Sequence, residues 1–435
     1  MVKISGWKSK TLGTLIDEGK IVIQTGPFGT VLSAKEFVKY GIPVVAVREI
    51  REGYIQIFDE TPCVSMETYN RLSKYNLATN DLVFARKGNV ERSALIPLTK
   101  TKYFLGSDGI CLRVITKNLL PQYLFYAIQS NTVRSFLIQN AYGTTMAGLN
   151  EKILSAIPLF LPVDIDEQSA IAETFSDIDR LISSLQKLIE KKKAIKQGTM
   201  QELLTGKKRL PGFSGKRKRK KLGNYIKFEV GFPFKSQYFN SQHIGLRLIK
   251  NRDLKSDDQV YYTTEDVSSE YIVNNGDVLV GMDGDFTPCI WRKGVALLNQ
   301  RVGRIGAFGM DLLFSYYLLQ QPLQELQIGT GATTVKHLSH FDVEELELTF
   351  PEEIKEQQAI AQVLSDMDND IEQLEKKLAK YQQIKQGMMQ ELLTGRIRLV
   401  DADGKEQSKT QILQENFKKS QRYYYRIKPR HGSLT

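Results

Sequence analysis

The chain has 435 residues, of which 41% are hydrophobic and 25% are charged, and its formal net charge is +11. This composition is typical of a globular protein with two or three domains, and the positive charge favours polyanionic partners. The cysteines Cys63, Cys111 and Cys289 are too widely spaced for a disulfide framework or a zinc site, and no apolar stretch reaches the length of a membrane helix. Because the N-terminus also lacks an apolar signal-peptide region, we expect a cytoplasmic protein that does not contact membranes.

Residues 1–162 are predicted to form a first mixed α/β domain. A Gly-Pro-Phe-Gly turn at residues 26–29 and a polar Gly-Thr-Thr-Met loop at residues 143–146 interrupt several short apolar runs. Runs of this length, bounded by turn residues, predict buried strands and a few helices. The predicted strands span residues 42–47, 81–85 and 110–115, and the predicted helix spans residues 122–138.

A long helix is predicted at residues 163–206 and again at residues 352–395, because the chain contains one stretch twice. The run from Glu167 to Gly206 recurs from Glu356 to Gly395, at an offset of 189 residues (356 − 167) without a gap. More than half of the aligned positions are identical, including IKQG and the terminal QELLTG. An internal repeat of this quality predicts a duplicated architecture.

Apolar residues in both copies of this helix are spaced alternately by four and three positions. This 3.5-residue repeat is that of a coiled-coil seam, so we expect the two helices to pack on each other. At 1.5 Å per residue, each helix would be a spacer roughly 60 Å long. A core-facing helix of a globular domain is the alternative. The predicted seam residues are Ile171, Phe175, Ile178, Ile182, Leu185, Ile189, Ile360, Leu364, Met367, Ile371, Leu374 and Leu378.

The remaining segments are two basic stretches and a second domain. Residues 207–221 are predicted to be a basic linker, because Pro and Gly precede six consecutive cations from Lys216 to Lys221; contact with phosphate is the alternative. Residues 222–351 repeat the pattern of the first domain with different loops, which suggests two ligands of one kind. Residues 396–435 form a basic C-terminal tail that we expect to be poorly ordered.

Sequence motifs for catalysis are missing. The chain has no GxxxxGK[ST] phosphate loop, no GxGxxG after a strand and no Asn-Pro-Pro-aromatic box. His337 and His340 lack acidic or cysteine companions, and Asp283 and Asp285 lack a nearby catalytic Lys or Glu pattern. We therefore expect a binding protein with no catalytic residue and no metal ligand.

Two unlike mixed domains, each followed by a near-identical helix ending in QELLTG, together with KKRLPGF after the first helix, resemble the specificity subunit of type I restriction–modification enzymes. The resemblance extends from about Leu12 to Val400. It implies an α+β fold in which two target recognition domains are separated by a pair of long antiparallel coiled-coil helices, with an internal pseudo-twofold repeat. The second helix is followed by GRIRLVDADG in place of the expected LPGF, which is a departure from the pattern.

The resemblance also implies partners. A specificity subunit binds double-stranded DNA and docks two modification (methyltransferase) subunits, which methylate adenine with S-adenosylmethionine. Motor-nuclease restriction subunits join them, so that ATP and Mg²⁺ also belong to partner subunits and no cofactor is expected in this chain. Because the loops of the two domains differ, the two half-sites of the target should differ too. The expected target is an asymmetric bipartite sequence.

Side chains at strand-to-loop ends are the candidates for DNA contact, because Arg and Lys pair with guanine, and Asn and Gln with adenine. Each of them could instead contact only phosphate or solvent. The candidates in the first domain are Arg48, Arg86, Lys87, Asn89, Thr144 and Thr145. Those in the second domain are Lys250, Asn251, Arg252, Arg292, Gln300, Arg301, Thr333, Thr334 and Lys336. Two other functions stay open: a nuclease or methyltransferase acting alone, and a coiled-coil scaffold or DNA-binding regulator without restriction partners.

Overall fold

The computed structural model describes residues 5–142, 148–328 and 337–399. The chain divides into two compact units, unit 1 from residues 1–185 and 377–435, and unit 2 from residues 186–376. No helix in the described ranges is long and apolar enough to cross a membrane. The predictions for Thr144, Thr145, Thr333, Thr334, Lys336 and the tail from residue 400 onward lie outside the described residues.

Unit 1 contains short strands, short helices and the first part of a long helix. Its strands are β1 (Trp7–Thr11), β2 (Ile21–Thr25), β3 (Phe37–Val38), β4 (Ile42–Val45), β5 (Cys63–Val64), β6 (Asn76–Leu77), β7 (Leu82–Ala85), β8 (Ser93–Leu95), β9 (Tyr103–Leu105), β10 (Gly109–Val114) and β11 (Pro158–Pro162). Its helices are α1 (Leu12–Asp17), α2 (Met66–Arg71), α3 (Pro121–Ile128), α4 (Asn131–Asn140) and α5 (Glu151–Ser155). The long helix α6 (Ile165–Thr205) begins in unit 1 and ends in unit 2.

Two sheets pack face to face in unit 1. One has the order β2-β10-β7-β8, and the other has the order β3-β5-β4-β9-β6, while β1 pairs with β11. Strand β7 is buried on both faces: Leu82 and Phe84 belong to the core under the helices, whereas Val83 belongs to the core between the sheets. A strand covered on both sides needs a continuous apolar run, which is why LVFA has no polar alternation.

Unit 2 repeats this architecture. Its strands are β12 (Arg217–Lys221), β13 (Ile226–Val230), β14 (Phe239–Asn240), β15 (Leu246–Ile249), β16 (Tyr261–Thr263), β17 (Ile272–Val273), β18 (Val278–Gly281), β19 (Cys289–Ile290), β20 (Ala296–Leu298), β21 (Val302–Ala307) and β22 (Glu347–Pro351). Its helices are α7 (Leu312–Ile328), α8 (His340–Glu344) and the first part of the long helix α9 (Ile354–Leu392). The sheet orders β13-β21-β18-β19, β14-β16-β15-β20-β17 and β12-β22 match those of unit 1.

The two long helices pack on each other in both units, and they run antiparallel. In unit 1, Ile171 and Phe175 of α6 share a core with Met388 and Leu392 near the end of α9. In unit 2, the last turns of α6 share a core with the first half of α9, which includes Ile360. The structure buries Ile171, Phe175, Ile178, Leu185, Ile189, Ile360, Leu364 and Ile371, and half-buries Ile182, Met367, Leu374 and Leu378. The α+β fold with a duplicated domain and paired helices is thereby confirmed.

The predicted basic linker is wrong for its second part, because Arg217–Lys221 forms β12 and pairs with β22. Each cation on this strand faces acid: Arg219 lies 3.1 Å from Glu347, and Lys220 lies 2.5 Å from Glu352. A run of six cations usually indicates a solvated linker, but acidic residues that are close in space can order it as a strand. The pairing of β12 with β22, a strand about 130 residues away, brings glutamates of that strand and its flanks beside the cations and orders the segment.

Two further boundaries need correction. The single helix predicted at residues 122–138 is two helices, α3 and α4, and the Ser130 hydroxyl accepts the Val133 N–H to cap the second. The predicted C-terminal tail is packed at its beginning, since Leu399 is only 4% exposed. Arg398 explains this order, because its guanidinium donates to both oxygens of the buried Glu167, at 2.9 and 2.8 Å.

Candidate nucleic-acid interface

An exposed edge of unit 2 contains a cleft of about 470 Å³. The segments that form it follow β15 and β18 or connect β20 to β21, and β16 supplies a tyrosine, so strand ends position most of its side chains. The lining residues are Lys250, Asn251, Arg252, Tyr261, Asp283, Asn299 and Arg301. Three cations, a carboxylate, two amides and a phenol offer the donors and acceptors that bind phosphates and base edges.

Asp283 lies in this cleft and has three neighbours. Arg301 Nη1 lies 3.2 Å from Asp283 Oδ2, and His337 Nδ1 lies 2.9 Å from Asp283 Oδ1. The Asp283 carbonyl accepts a hydrogen bond from the Asn251 amide. Gly281 permits this approach, because a Cβ there would stand 1.9 Å from Asn251 Oδ1. The carboxylate therefore fixes the position of Arg301 while both side chains stay partly exposed.

Lys250 packs against two aromatic rings at the same cleft. Its Nζ lies 3.5 Å from the Tyr261 ring centroid and 4.8 Å from that of Phe239. Burial lowers the pKa of the Lys250 ammonium, while Tyr261 opposes the shift. The turn that follows is held by the buried Asp253, whose Oδ2 accepts the Lys250 N–H at 2.8 Å. Lys250 is thus a positioned, partly desolvated cation.

The structure brings together only some of the residues predicted in the second domain. Lys250, Asn251, Arg252 and Arg301 line the cleft. Arg292 does not, since its Nη1 donates to Glu372 on α9 at 3.3 Å. Gln300 is exposed next to the cleft. Tyr261, Asp283, Asn299 and His337 were not among the predicted DNA-contacting residues. The Met-Asp-Gly-Asp loop was the one sequence signal for Asp283.

The corresponding edge of unit 1 carries the predicted residues of the first domain that the structure describes. Arg48 donates to Glu60 at 2.6 Å and lies over the Phe58 ring. Lys87 Nζ lies 3.0 Å from Asp108 Oδ1. The amide oxygen of Asn89, in its satisfied orientation, accepts from Arg92. The side chains of Arg48, Lys87 and Asn89 are exposed, whereas their partners Asp108 and Arg92 are half-buried.

Among the predicted residues that the structure describes, Arg86 has a buried guanidinium nitrogen without a hydrogen-bond partner. Its guanidinium lies 5.3 Å from the ring centroid of the exposed Phe28. Its Nε is buried and has no hydrogen-bond partner within the described residues. An arginine beside an exposed aromatic ring is suited to stacking on a base or to binding a phosphate.

One ion pair at this edge occurs in both units with its charges exchanged. The Met282 N–H donates to the Arg301 carbonyl at 3.0 Å, as the Arg86 N–H donates to the Asp108 carbonyl at 2.9 Å. Lys87 and Asp283 therefore occupy equivalent positions, and so do Asp108 and Arg301. Unit 1 has the cation on the turn and the acid before the strand, and unit 2 has the reverse.

The opposite side of each unit, where it meets the long helices, is built alike. Gln168 of α6 accepts the Leu120 N–H at 2.8 Å and donates to the Pro162 carbonyl at 3.0 Å. Gln357 of α9 likewise accepts the Asp311 N–H and donates to the Pro351 carbonyl, both at 2.8 Å.

A second set of contacts also occurs in both units. The Tyr126 hydroxyl donates to Asp179, which also pairs with Lys385, and the Tyr317 hydroxyl donates to Asp368, which also pairs with Lys196. Burial raises the pKa of both tyrosines. Within the described ranges, no group of three or more His, Cys, Asp or Glu residues is placed to hold a metal ion. Because these side chains at the junctions are paired within the chain, the exposed edges are the candidate site.

Comparison with known proteins gives matches along most of the chain. The family described as "Type I restriction modification DNA specificity domain" matches residues 6–197 and 215–386. The specificity subunit of the type I restriction enzyme EcoBI from Escherichia coli is 35% identical over 180 residues, which cover 40% of this chain and 38% of that subunit. The specificity subunit of the type I restriction enzyme MjaVIII from Methanocaldococcus jannaschii is 27% identical over 424 residues, covering 89% of this chain and 95% of that one. The S subunit of a type I restriction–modification system from M. genitalium has a similar fold, with a TM-score of 0.58 and 15% identity over 90% of this chain and 98% of that structure.

Proposed function

This chain belongs to the type I restriction–modification DNA specificity family, and we propose that each of its units binds one half of an asymmetric bipartite DNA site. The function of the family is sequence-specific DNA recognition within a restriction–modification system. The proposal adds that unit 1 and unit 2 bind different half-sites, separated by base pairs that neither unit contacts. In this proposal the chain selects the DNA and partner subunits carry out the chemistry.

The observation that carries this proposal is the contrast between the two sides of each unit. On the helix-facing side, hydrogen bonds made by Gln168 and by Asp179 in unit 1 recur at Gln357 and Asp368 in unit 2. At the exposed edge, one turn keeps its backbone hydrogen bond in both units but carries Lys87 in unit 1 and Asp283 in unit 2. Recognition of two different half-sites requires units that attach to the helices in a similar way but differ at their exposed edges. Base identity is read by side-chain donors and acceptors.

The partners in this proposal are double-stranded DNA, two modification subunits and the motor-nuclease subunits. We place one modification subunit against each repeat of the long helices, because the repeated surface offers the same contacts twice. S-adenosylmethionine, ATP and Mg²⁺ belong to those subunits in this proposal, and this chain contributes no catalytic residue. Purified chain alone should therefore neither methylate DNA with S-adenosylmethionine nor cleave it with Mg²⁺.

Methylome sequencing tests the proposal directly. A host without adenine methylation would express this chain together with its modification subunit. We expect modified adenines in a bipartite, asymmetric motif, and we expect them to disappear when this chain is omitted. A short continuous palindrome, or methylation that persists without this chain, would contradict the proposal. A stable complex that adds no methyl groups would favour a scaffold.

A further inference from the structure

We propose that the exchanged ion pair determines base specificity in each unit, through Asp283 and Arg301 in unit 2 and through Lys87 and Asp108 in unit 1. The inference rests on the proposed function, because it assigns the base-contacting positions of the two half-sites. Its content is chemical. At one position of the turn, unit 2 presents an acceptor and unit 1 presents a donor.

The backbone of this turn is the same in both units. The glycine after each turn residue has a positive φ, 76° at Gly88 and 75° at Gly284. Glycine adopts this conformation at no steric cost, so both units can form the turn whichever residue precedes the glycine. The side chains at positions 87 and 283 therefore leave equivalent backbones in the same way. Any difference in what the units bind here comes from side-chain chemistry.

The fold does not depend on either sign of charge at these positions. The side chains are 54% and 30% exposed for Arg301 and Asp283, and 51% and 38% exposed for Lys87 and Asp108. Exposed ion pairs contribute little to stability. Exchanging the two charges also keeps opposite charges next to each other. The two natural orientations within one chain illustrate this tolerance. Residues free of a structural requirement and placed at an exposed edge are available to a ligand.

The two orientations match different bases. An arginine donates two parallel hydrogen bonds to guanine O6 and N7, and a carboxylate accepts from cytosine N4. In unit 2, Asp283 holds Arg301 at 3.2 Å, which limits the rotamers of the guanidinium before DNA arrives. In unit 1, Lys87 is the donor at the position that Asp283 has in unit 2. A base pair that satisfies one orientation therefore leaves the other with a mismatched donor or acceptor.

The surroundings make unit 2 the more selective of the two. Asn251 and His337 contact Asp283, and Asn299 lines the same cleft. Their equivalents in unit 1 by strand pairing are Val47, Gly148 and Gly106. These unit 1 residues have no polar side chain. We therefore expect the unit 2 half-site to be specified at more positions around this contact than the unit 1 half-site.

The test exchanges the charges while keeping the pair. The double variant D283K/R301D gives unit 2 the orientation of unit 1, and K87D/D108R gives unit 1 the orientation of unit 2. Each full chain is expressed with the modification subunit, and its methylated motif is sequenced. We expect each double variant to change one or two adjacent bases in one half-site only, with a preference shifted about tenfold or more, and we expect the two variants to affect different half-sites.

The control exchanges another exposed ion pair of unit 2. R219E/E347R reverses a pair on β12 and β22, and it should leave the motif unchanged. If a double variant gives no methylation, selection from DNA with randomised half-sites measures its preference instead. An unchanged motif or unchanged selected bases in both double variants would overturn the inference. So would loss of binding to every sequence by an intact complex, because that indicates a phosphate contact. Failure of the proposed function is distinct, since it would appear as a missing bipartite motif in the wild type.

Discussion

Unit 1 and unit 2 share the side chains that face the long helices and differ in those at the exposed sheet edge. On the helix side, a glutamine satisfies two backbone groups and a tyrosine binds an aspartate in both units. At the edge, Lys87–Asp108 in one unit answers Asp283–Arg301 in the other. Buried polar groups must keep their partners, whereas exposed ones need not. The comparison teaches where this fold can vary without losing stability.

A second difference lies inside the shared junction, at the first buried glutamate of each long helix. Glu356 binds two guanidinium groups, those of Arg209 and Arg217, and Glu167 binds one, that of Arg398, along with the indole N–H of Trp7. Burial lowers the pKa of Arg217, while the hydrogen bond to Glu167 raises that of Arg398. The same buried acid therefore carries a more desolvated cation in unit 2.

Removing each buried glutamate in turn tests this difference between the units, and it should give the largest change in stability. Glu356→Ala should destabilise unit 2 by about 3 to 5 kcal/mol, because it leaves Arg217, whose side chain is 10% exposed, without its counterion. Glu167→Ala should cost less, because Arg398 is 35% exposed and can turn to water. Denaturant titration with hydrogen exchange resolved for each unit measures both.

The matched control for this pair is Glu347→Ala, which removes an exposed glutamate from unit 2. It should leave amide protection in the sheets of both units nearly unchanged. Equal losses of stability for the Glu356 and Glu167 variants would show that the burial of Arg217 does not add to the cost of removing its counterion.

The second prediction concerns contacts that the units share. Tyr126→Phe and Tyr317→Phe each remove a hydrogen bond to an aspartate, at 3.1 and 2.8 Å. Each aspartate keeps a lysine partner, so each loss should be modest and alike, about 1.5 kcal/mol. Unit-resolved hydrogen exchange detects it, with Tyr54→Phe as an exposed control. A difference of more than about twofold between the two would mean that the junctions are not equivalent.

The sequence predicts the architecture well because the signals are local or repeated. Heptad spacing and the repeat predicted the long helices, and short apolar runs predicted the strands β4, β7 and β10. What it missed depends on contacts between distant residues. The glutamates opposite Arg217–Lys221 lie on β22 or just beside it, far along the chain. Arg398 was placed in a tail, although it matches Arg209 at the same offset that relates the helices.

The candidate site shows the same limit. The ends of strands can be located from the sequence. This is why it predicts the candidate residues Lys250, Asn251, Arg252 and Arg301. Asp283 also follows a strand, but a carboxylate is not an expected contact at a surface that binds a polyanion. Its value lies in the distances to Arg301 and His337, which come from segments 18 and 54 residues away. Pairings of that kind are set by the sheet and not by local pattern.

The third prediction contrasts two buried acids that hold equivalent turns. Both oxygens of Glu49 accept hydrogen bonds, from the Ala46 N–H and the Thr61 hydroxyl. Asp253 Oδ2 accepts the Lys250 N–H, but its Oδ1 accepts no hydrogen bond from the described residues. Burial raises the pKa of Asp253 above its ordinary value of 3.8.

A raised pKa means that the folded state binds the proton more tightly than the unfolded state. The contribution of Asp253 to stability is therefore present at low pH and decreases as the pH rises from about 4 through the folded pKa. Asp253→Asn should remove this decrease and cost unit 2 little at neutral pH, whereas Glu49→Gln should weaken unit 1. Unit-resolved unfolding between pH 4 and 7 measures the slopes. An unchanged slope for the asparagine variant would contradict the assignment to Asp253.

The smallest expected effect separates the edge strand β12 of unit 2 from its counterpart β1. Strand β12 carries two largely exposed ion pairs, Lys218–Glu352 and Arg219–Glu347. Because solvent and salt screen such pairs, Arg219→Ala should change the stability of unit 2 less than Tyr317→Phe does, and less still in high salt. β1 has Ser9 where β12 has Arg219, and it pairs with β11 in the same antiparallel register, so the ladder forms without this charge. A loss for Arg219→Ala that equals the tyrosine variants, and that persists in high salt, would show that β12 needs its charges in a way that β1 does not.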